Sequence, residues 1–197
     1  MLRPSPLLLG RYLVDRLRYQ RFRADEVLDV RRRLLRQAGP GRACAEELET
    51  ARELRLLREG AARAFGSIAR CATCAIGRPP PHGAYPGGFC CGATTAEIFP
   101  DEELAALRLS GTAPGDLQPA RGELAGCAFR GPGGCVLPPA HRPSQCLRHL
   151  CYDLVRELQE RGGLDRVEDL AEQLRATFLE FARYRQGRLD DELLGLR

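Results

Sequence analysis

The sequence contains no lysine, no asparagine and no tryptophan, and it has a single methionine. All 30 basic residues are therefore arginines, a bias that we attribute to coding drift in a GC-rich genome and not to selection for guanidinium chemistry. The formal net charge of +4 is too small to require a polyanionic partner, so nucleic-acid binding is not expected.

Long apolar runs are also missing. No stretch approaches the roughly 20 apolar residues that a membrane-spanning helix needs. The run from Leu7 to Leu9 is too short for the apolar region of a secretion signal, and charged residues follow it at once. The sequence therefore predicts a cytoplasmic protein with no membrane partner. A disulfide framework like that of a small secreted domain is the less favoured alternative.

Three regions differ in composition. Residues 1–70 and 152–197 carry apolar residues at helical steps of three and four, which predicts a helical front and a helical tail that pack together. Residues 71–151 hold most of the cysteines. Gly and Pro residues are frequent from 71 to 143, so we expect little regular structure in that stretch apart from a short helix at 100–109. The predicted fold class is mainly α, with little or no β structure, and the three regions form one compact domain.

Two glycines mark expected interruptions of the helices, Gly60 in the front and Gly187 in the tail. After Pro143 we expect a helix with one apolar face from Leu147 to Leu158. The middle region is poor in apolar side chains, so we expect it to lack a conventional core and to depend on metal–thiolate bonds.

Cysteine is the residue in excess. Eight of the nine cysteines lie in the middle region and are the candidate metal ligands: Cys71, Cys74, Cys90, Cys91, Cys127, Cys135, Cys146 and Cys151. In a protein with no export signal, clustered cysteines favour thiolates gathered around a metal. Four thiolates form the usual ligand set of structural zinc and of common iron–sulfur clusters, so eight could serve two sites. The number of ligands does not distinguish zinc from an iron–sulfur cluster.

The spacing of the first four cysteines limits how they can share a metal. The two residues between Cys71 and Cys74 let both sulfurs face one ion, although the same motif also occurs in redox proteins. Cys90 and Cys91 are adjacent, and adjacent side chains of an extended chain point to opposite faces. They are therefore expected to serve two sites, a polynuclear cluster, or one ligand beside one packed thiol.

The last four cysteines have spacings of a different kind. A Gly-rich turn between Cys127 and Cys135 would return one thiolate beside the other. Cys146 falls in the first turn of the helix after Pro143, where backbone amides favour a thiolate. Cys151 lies about 140° further round an ideal helix, so it needs a helix distortion or a separate site to join Cys146.

The remaining candidates are weaker. His82, His141 and His149 are possible substitute ligands, but surface or capping roles are favoured for each. Cys44 stands apart in the second front helix and is expected to be a buried apolar residue. Glu103, with its neighbour Glu102, is expected to be a first-turn helix carboxylate.

A motif connects these observations to a known family. The string Gly126-Cys127-Ala-Phe-Arg, followed by Gly134-Cys135-Val-Leu and by Arg142-Pro143-Ser-Gln-Cys146, resembles the second half of the bacterial YkgJ-type family of zinc- or iron-chelating cysteine-cluster domains. The four earlier cysteines match its first half. The resemblance covers residues 71–151 and implies metal binding, with the metal itself ambiguous between zinc and iron.

The chain departs from the family pattern at three places. Fifteen residues separate Cys74 from Cys90, where the family has only a few. The interval from Cys135 to Arg142 is one residue longer, and Leu147 replaces a common Arg.

Three functions are compared on this basis. The favoured one is a metal-binding protein with a structural or accessory role and an unidentified protein partner. Some proteins with a similar cysteine domain resemble protein lysine methylases, but they are much longer chains, and this sequence has no Gly-rich nucleotide loop after a strand. A thiol redox protein is the third alternative, although a thioredoxin-like motif requires a βαβ setting that the sequence lacks.

Overall fold

The computed structural model describes residues 23–66, 95–121, 127–131 and 134–196. Within these ranges the chain is mainly helical, as predicted, with seven α-helices and a two-stranded antiparallel sheet. Four of the candidate ligands (Cys71, Cys74, Cys90 and Cys91) lie outside the described residues, as does His82.

The elements in chain order are α1 (Arg23–Arg36), α2 (Ala45–Phe65), α3 (Thr95–Ile98), α4 (Asp101–Leu109), β1 (Arg130–Gly131), β2 (Gly134–Cys135), α5 (Ser144–Arg148), α6 (Tyr152–Glu160) and α7 (Leu164–Leu193). Short 3-10 turns occupy Pro40–Arg42, Pro114–Asp116 and Pro139–His141.

The long helices run through the glycines that were expected to interrupt them. α2 continues through Gly60, and α7 continues through Gly187. A glycine inside a helix costs only about 1 kcal/mol relative to alanine, and packing of the apolar faces on either side outweighs that cost. α2 ends instead at Gly66, whose φ of 59° is a conformation that favours glycine.

The first core lies where α7 packs along α2, with α4, α5 and α6 around them. Its fully buried side chains include Leu54, Leu174 and Phe181. A buried ion pair also crosses this interface, with Arg188 Nε 2.7 Å from Glu47 Oε2. The front and tail therefore pack together as predicted, through both apolar surface and a directed charge pair.

A second core fills the region that was expected to have none. Phe99 and Phe129 are fully buried there, with their ring centroids 5.2 Å apart. The other apolar members come from α1, α3, α4 and the chain around the hairpin: Val27, Val30, Leu34, Ile98, Leu104, Leu107, Leu117, Ala128 and Leu137. The expectation was wrong because α1, distant in the sequence, supplies apolar side chains that the middle region lacks. The described part of this region is therefore held by ordinary packing.

The helix expected after Pro143 is divided into two. α5 ends at Arg148 and α6 begins at Tyr152, with extended backbone at His149 and Cys151 between them. The helical spacing of the leucines continues across the break, which is why the sequence predicts one helix. Leu147, Leu154 and Leu158 still reach the same core, because each short helix packs separately against it.

No described helix combines the length and apolar character that crossing a bilayer requires.

Candidate metal centre

Two of the candidate ligands flank the hairpin. Cys127 is 7% exposed and lies just before β1, where its carbonyl accepts a hydrogen bond of 3.0 Å from the backbone N–H of Arg130. Cys135 is exposed at the end of β2, and its cross-strand partner is Arg130. The antiparallel pairing returns the chain as the sequence predicted, but it sets Arg130 and not Cys127 directly opposite Cys135.

Arg142 braces the strand that ends in Cys135. Its Nε donates to the Leu137 carbonyl at 2.8 Å, and its Nη2 lies 3.5 Å from the carbonyl oxygen of Cys135. Neighbouring atoms crowd the sulfur and raise the pKa of the Cys135 thiol, although the residue as a whole is exposed. The positive charge of Arg142 acts in the opposite direction and favours the thiolate. The arginine thus holds the strand and supplies a positive charge to the thiol.

Cys146 and Cys151 lie on opposite sides of the helix break. Cys146 is the third residue of α5, in its first turn as predicted, and it is exposed. Cys151 is half-buried and occupies the position just before α6. The extended backbone at 149–151 is the kind of distortion that the spacing required if the two thiols are to share a site.

Thr95 joins two separate parts of the cysteine region. It follows Cys91 by four residues in the sequence, and its Oγ1 accepts a hydrogen bond of 2.9 Å from the backbone N–H of Ala128, next to Cys127. The Thr95 hydroxyl also donates to the carboxylate of Glu26 in α1. Thr95 and Ala128 are fully buried. A polar contact inside the second core therefore fixes the chain beside Cys127.

A buried polar network holds the start of α5. Glu103 Oε1 lies 2.6 Å from Arg58 Nη2, and it accepts hydrogen bonds from the backbone N and the Oγ of Ser144 at 3.0 and 3.1 Å. All three residues are at most 3% exposed. The network connects α2, α4 and α5, and it ends two residues before Cys146.

Glu103 lies in the first turn of α4 as predicted, but its buried partners Arg58 and Ser144 were not predicted from the sequence. A signal was present in the helical spacing: Arg58 follows the buried Leu54 by four residues, and Glu103 precedes the buried Leu107 by four. A charged residue on an apolar stripe is buried when the stripe packs, so it needs a partner of opposite charge.

Cys44 is not the buried apolar residue that was expected. It is half-buried and precedes α2, where its Sγ accepts a 3.4 Å hydrogen bond from the backbone N–H of Glu47. Glu47 Oε2 in turn accepts from the Cys44 backbone N–H at 2.9 Å, which completes a capping box. Cys44 therefore takes the place that Ser or Thr usually fills, because a helix start must satisfy its backbone N–H groups.

The two described histidines, His141 and His149, lie in different settings. His141 Nδ1 lies 2.9 Å from Thr112 Oγ1, and its Nε2 lies 3.9 Å from an Asp116 carboxylate oxygen. His149 is exposed at the end of α5. The contacts of His141 tie two loops together.

The chemistry of the donors suits zinc or iron, since thiolates are favoured ligands of both. In the described part of the chain, no three Cys, His, Asp or Glu residues converge closely enough to hold an ion. A four-ligand site built on this arrangement would therefore draw at least two ligands from outside the described residues. The candidate cysteines there are the four between residues 71 and 91.

Comparisons with known proteins give no relative: no family model, no curated protein and no solved structure matches the chain. The resemblance of residues 71–151 to the YkgJ-type cysteine-cluster family stays a prediction from its motif.

Proposed function

We propose that the protein binds zinc or an iron–sulfur cluster through the cysteines of residues 71–151, and that the bound metal has a structural or accessory role. The proposed ligands are the eight cysteines of the motif, with Cys44 excluded because it caps α2. When bound, the metal would crosslink segments that are distant in sequence.

The observation that carries the proposal is the hydrogen bond between Thr95 and Ala128. It ties the chain that follows Cys90 and Cys91 to the chain that follows Cys127. The two halves of the motif are thus connected through described residues. If cysteines of both halves bind the same metal, the two halves must lie close together, and this hydrogen bond would help to hold them there.

Two further features support the proposal. Arg142 and Ser144 belong to the same Arg-Pro-x-x-Cys string, and each is hydrogen-bonded to another part of the chain. Arg142 donates to the Leu137 carbonyl, two residues after Cys135, and Ser144 donates to Glu103. The break at 149–151 removes the helical geometry that would separate Cys146 from Cys151. Rigid support of ligand-bearing segments is what metal sites require.

Elemental analysis and an ultraviolet–visible spectrum of protein purified without oxygen test the proposal. Iron with labile sulfide at cluster stoichiometry would identify an iron–sulfur protein. One or two zinc ions per chain in a colourless protein would identify a zinc protein. Protein without metal, with its thiols free or paired as disulfides, would refute the proposal.

A further inference from the structure

We infer that Glu103 is a positioning residue for Cys146, acting through the start of α5; this inference rests on the metal-binding function proposed above. One carboxylate oxygen of Glu103 receives three donors, from the Arg58 guanidinium, the Ser144 backbone N–H and the Ser144 hydroxyl. Two of the three come from the first residue of the helix that carries Cys146.

α5 depends on this contact for its position. It has only five residues, too few to be stable without tertiary contacts. Pro143 precedes it and provides no side-chain cap, so the buried first N–H of the helix has no side-chain acceptor from that residue. Glu103, brought from α4, accepts from the Ser144 N–H instead. The backbone N–H of Cys146 then closes the turn on the Pro143 carbonyl at 3.0 Å.

The network is directional in a way that apolar packing is not. A buried Arg–Glu pair is often no more stabilising than apolar residues of the same size, because both charges lose their hydration. An apolar residue at position 103 could fill the space but could not accept from the Ser144 N–H. The carboxylate therefore fixes the orientation of the turn, and with it the position of Cys146 two residues later. Groups that orient metal ligands in this way typically change metal affinity by about 10–100-fold when replaced.

The chain contains a matched control. Glu47 and Arg188 form a second buried ion pair, with a 2.7 Å separation and side chains at most 3% exposed. That pair also lies at a helix start, but it joins α2 to α7, and its hydrogen bonds run to the Cys44 backbone N–H and to Glu192. Glu103→Met and Glu47→Met are the same chemical change at two buried ion pairs, since each removes the carboxylate acceptor with little change of side-chain size. Only the first pair is joined to the turn of Cys146.

The experiment uses the full chain, reduced and freed of metal with a chelator, and Co²⁺ as the probe. Co²⁺ affinity is measured by competition, from the sulfur-to-cobalt charge-transfer absorbance. In parallel, alkylation of Cys146 and Cys44 is followed by peptide mass spectrometry with and without Co²⁺. We expect both variants to melt at lower temperature than wild type. Glu103→Met should bind Co²⁺ about 10–100-fold more weakly and lose the protection of Cys146, because the thioether cannot replace the carboxylate as acceptor for the Ser144 N–H. Glu47→Met should keep wild-type affinity and protection.

Two results would overturn the inference: wild-type affinity and Cys146 protection in Glu103→Met, or equal losses in Glu47→Met. If Glu103→Met does not fold, the double variant Arg58→Met with Glu103→Met, which removes both buried charges together with the acceptor, replaces it. Unchanged Co²⁺ affinity in that variant would likewise overturn the inference. A wild-type protein that takes up no Co²⁺ and contains no metal after anaerobic purification would instead refute the proposed function.

Discussion

The Thr95 hydroxyl accepts a hydrogen bond of 2.9 Å from the backbone N–H of Ala128, inside a core that the two residues enter from distant parts of the sequence. The same hydroxyl donates to Glu26 of α1. One small polar side chain thus joins α1, the start of α3 and the chain beside Cys127.

Thr95→Val keeps the shape of this side chain and removes both hydrogen bonds. Both hydrogen bonds are buried and one of them is to a carboxylate, so we expect the free energy of unfolding to fall by about 1–3 kcal/mol. Urea unfolding followed by circular dichroism measures the loss.

Thr50→Val is the matched control for that change. Thr50 is also buried, but its hydroxyl donates at 2.7 Å to the Glu46 carbonyl, which already accepts a backbone hydrogen bond in α2. We expect a smaller loss, below about 1 kcal/mol, because the bond removed lies within one helix and involves no charged group. Equal losses in the two variants would contradict the bridging role of Thr95.

Cys44 offers a test of the capping role. Cys44→Ser places a better acceptor before α2 and should leave stability unchanged or slightly increased, whereas Cys44→Ala should lose about 0.5–2 kcal/mol. The melting temperatures of the two variants, with metal content measured alongside, check this. A loss of bound metal in Cys44→Ser would show that Cys44 is a ligand and that its exclusion is wrong.

The same cysteine predicts a dependence on pH. Burial raises the pKa of the Cys44 thiol, with the neighbouring carboxylates acting in the same direction and the Glu47 backbone N–H opposing them. The fold therefore favours the neutral thiol. Its contribution to stability is complete below the ordinary thiol pKa of about 8.5 and is lost as the pH rises through the higher pKa of the folded state.

Urea unfolding of metal-free wild type and Cys44→Ser at several pH values above and below that ordinary pKa measures this contribution. We expect wild type to lose more stability than the serine variant on the alkaline side. If the free energies of unfolding of the two proteins change with pH in parallel, ionisation of the Cys44 thiol is not the cause of the alkaline loss.

Replacing Cys127 and replacing Cys135 should change the stability of the metal-free protein to different extents. Cys127 is buried in the second core, so Cys127→Ser should lower both metal content and the stability of the metal-free protein. Cys135 is exposed, so Cys135→Ser should lower metal content with little effect on the metal-free protein. Metal analysis and thermal unfolding before and after chelation separate the two effects. A double variant with full metal content and an unchanged melting temperature would exclude both as ligands.

Packing in the second core should stabilise the metal-free protein as much as packing in the first core. Phe129→Ala and Phe181→Ala each remove a fully buried ring, one from each core, and each should cost about 3–5 kcal/mol in the metal-free protein. If metal alone held the middle region, Phe129→Ala would cost far less than Phe181→Ala after chelation. Urea unfolding of both metal-free variants makes the comparison.

The sequence by itself determined the helical class, the helical front and tail, the short helix α4 and a helix start after Pro143 with Cys146 in its first turn. These features follow from local rules: the step of apolar residues along a helix, breakers at its ends, and acidic residues in its first turn. The ordered cysteines and the Arg-Pro-x-x-Cys string were likewise visible in the sequence, and they carry the metal-binding prediction.

Only the tertiary structure decided the rest. The second core depends on Val27 and Leu34 of α1 meeting Phe99 and Phe129, a contact that no local pattern encodes. The break before Cys151 arises because α5 and α6 each pack separately, while the spacing of their leucines fits one helix. Glu103 is a first-turn carboxylate as predicted, but it becomes the acceptor that holds α5 only because α2 and α4 bury it against Arg58. The free energy of a charged group or a thiol depends on its burial and on its hydrogen-bond and ionic partners. Both are set only when segments distant in the sequence have packed together.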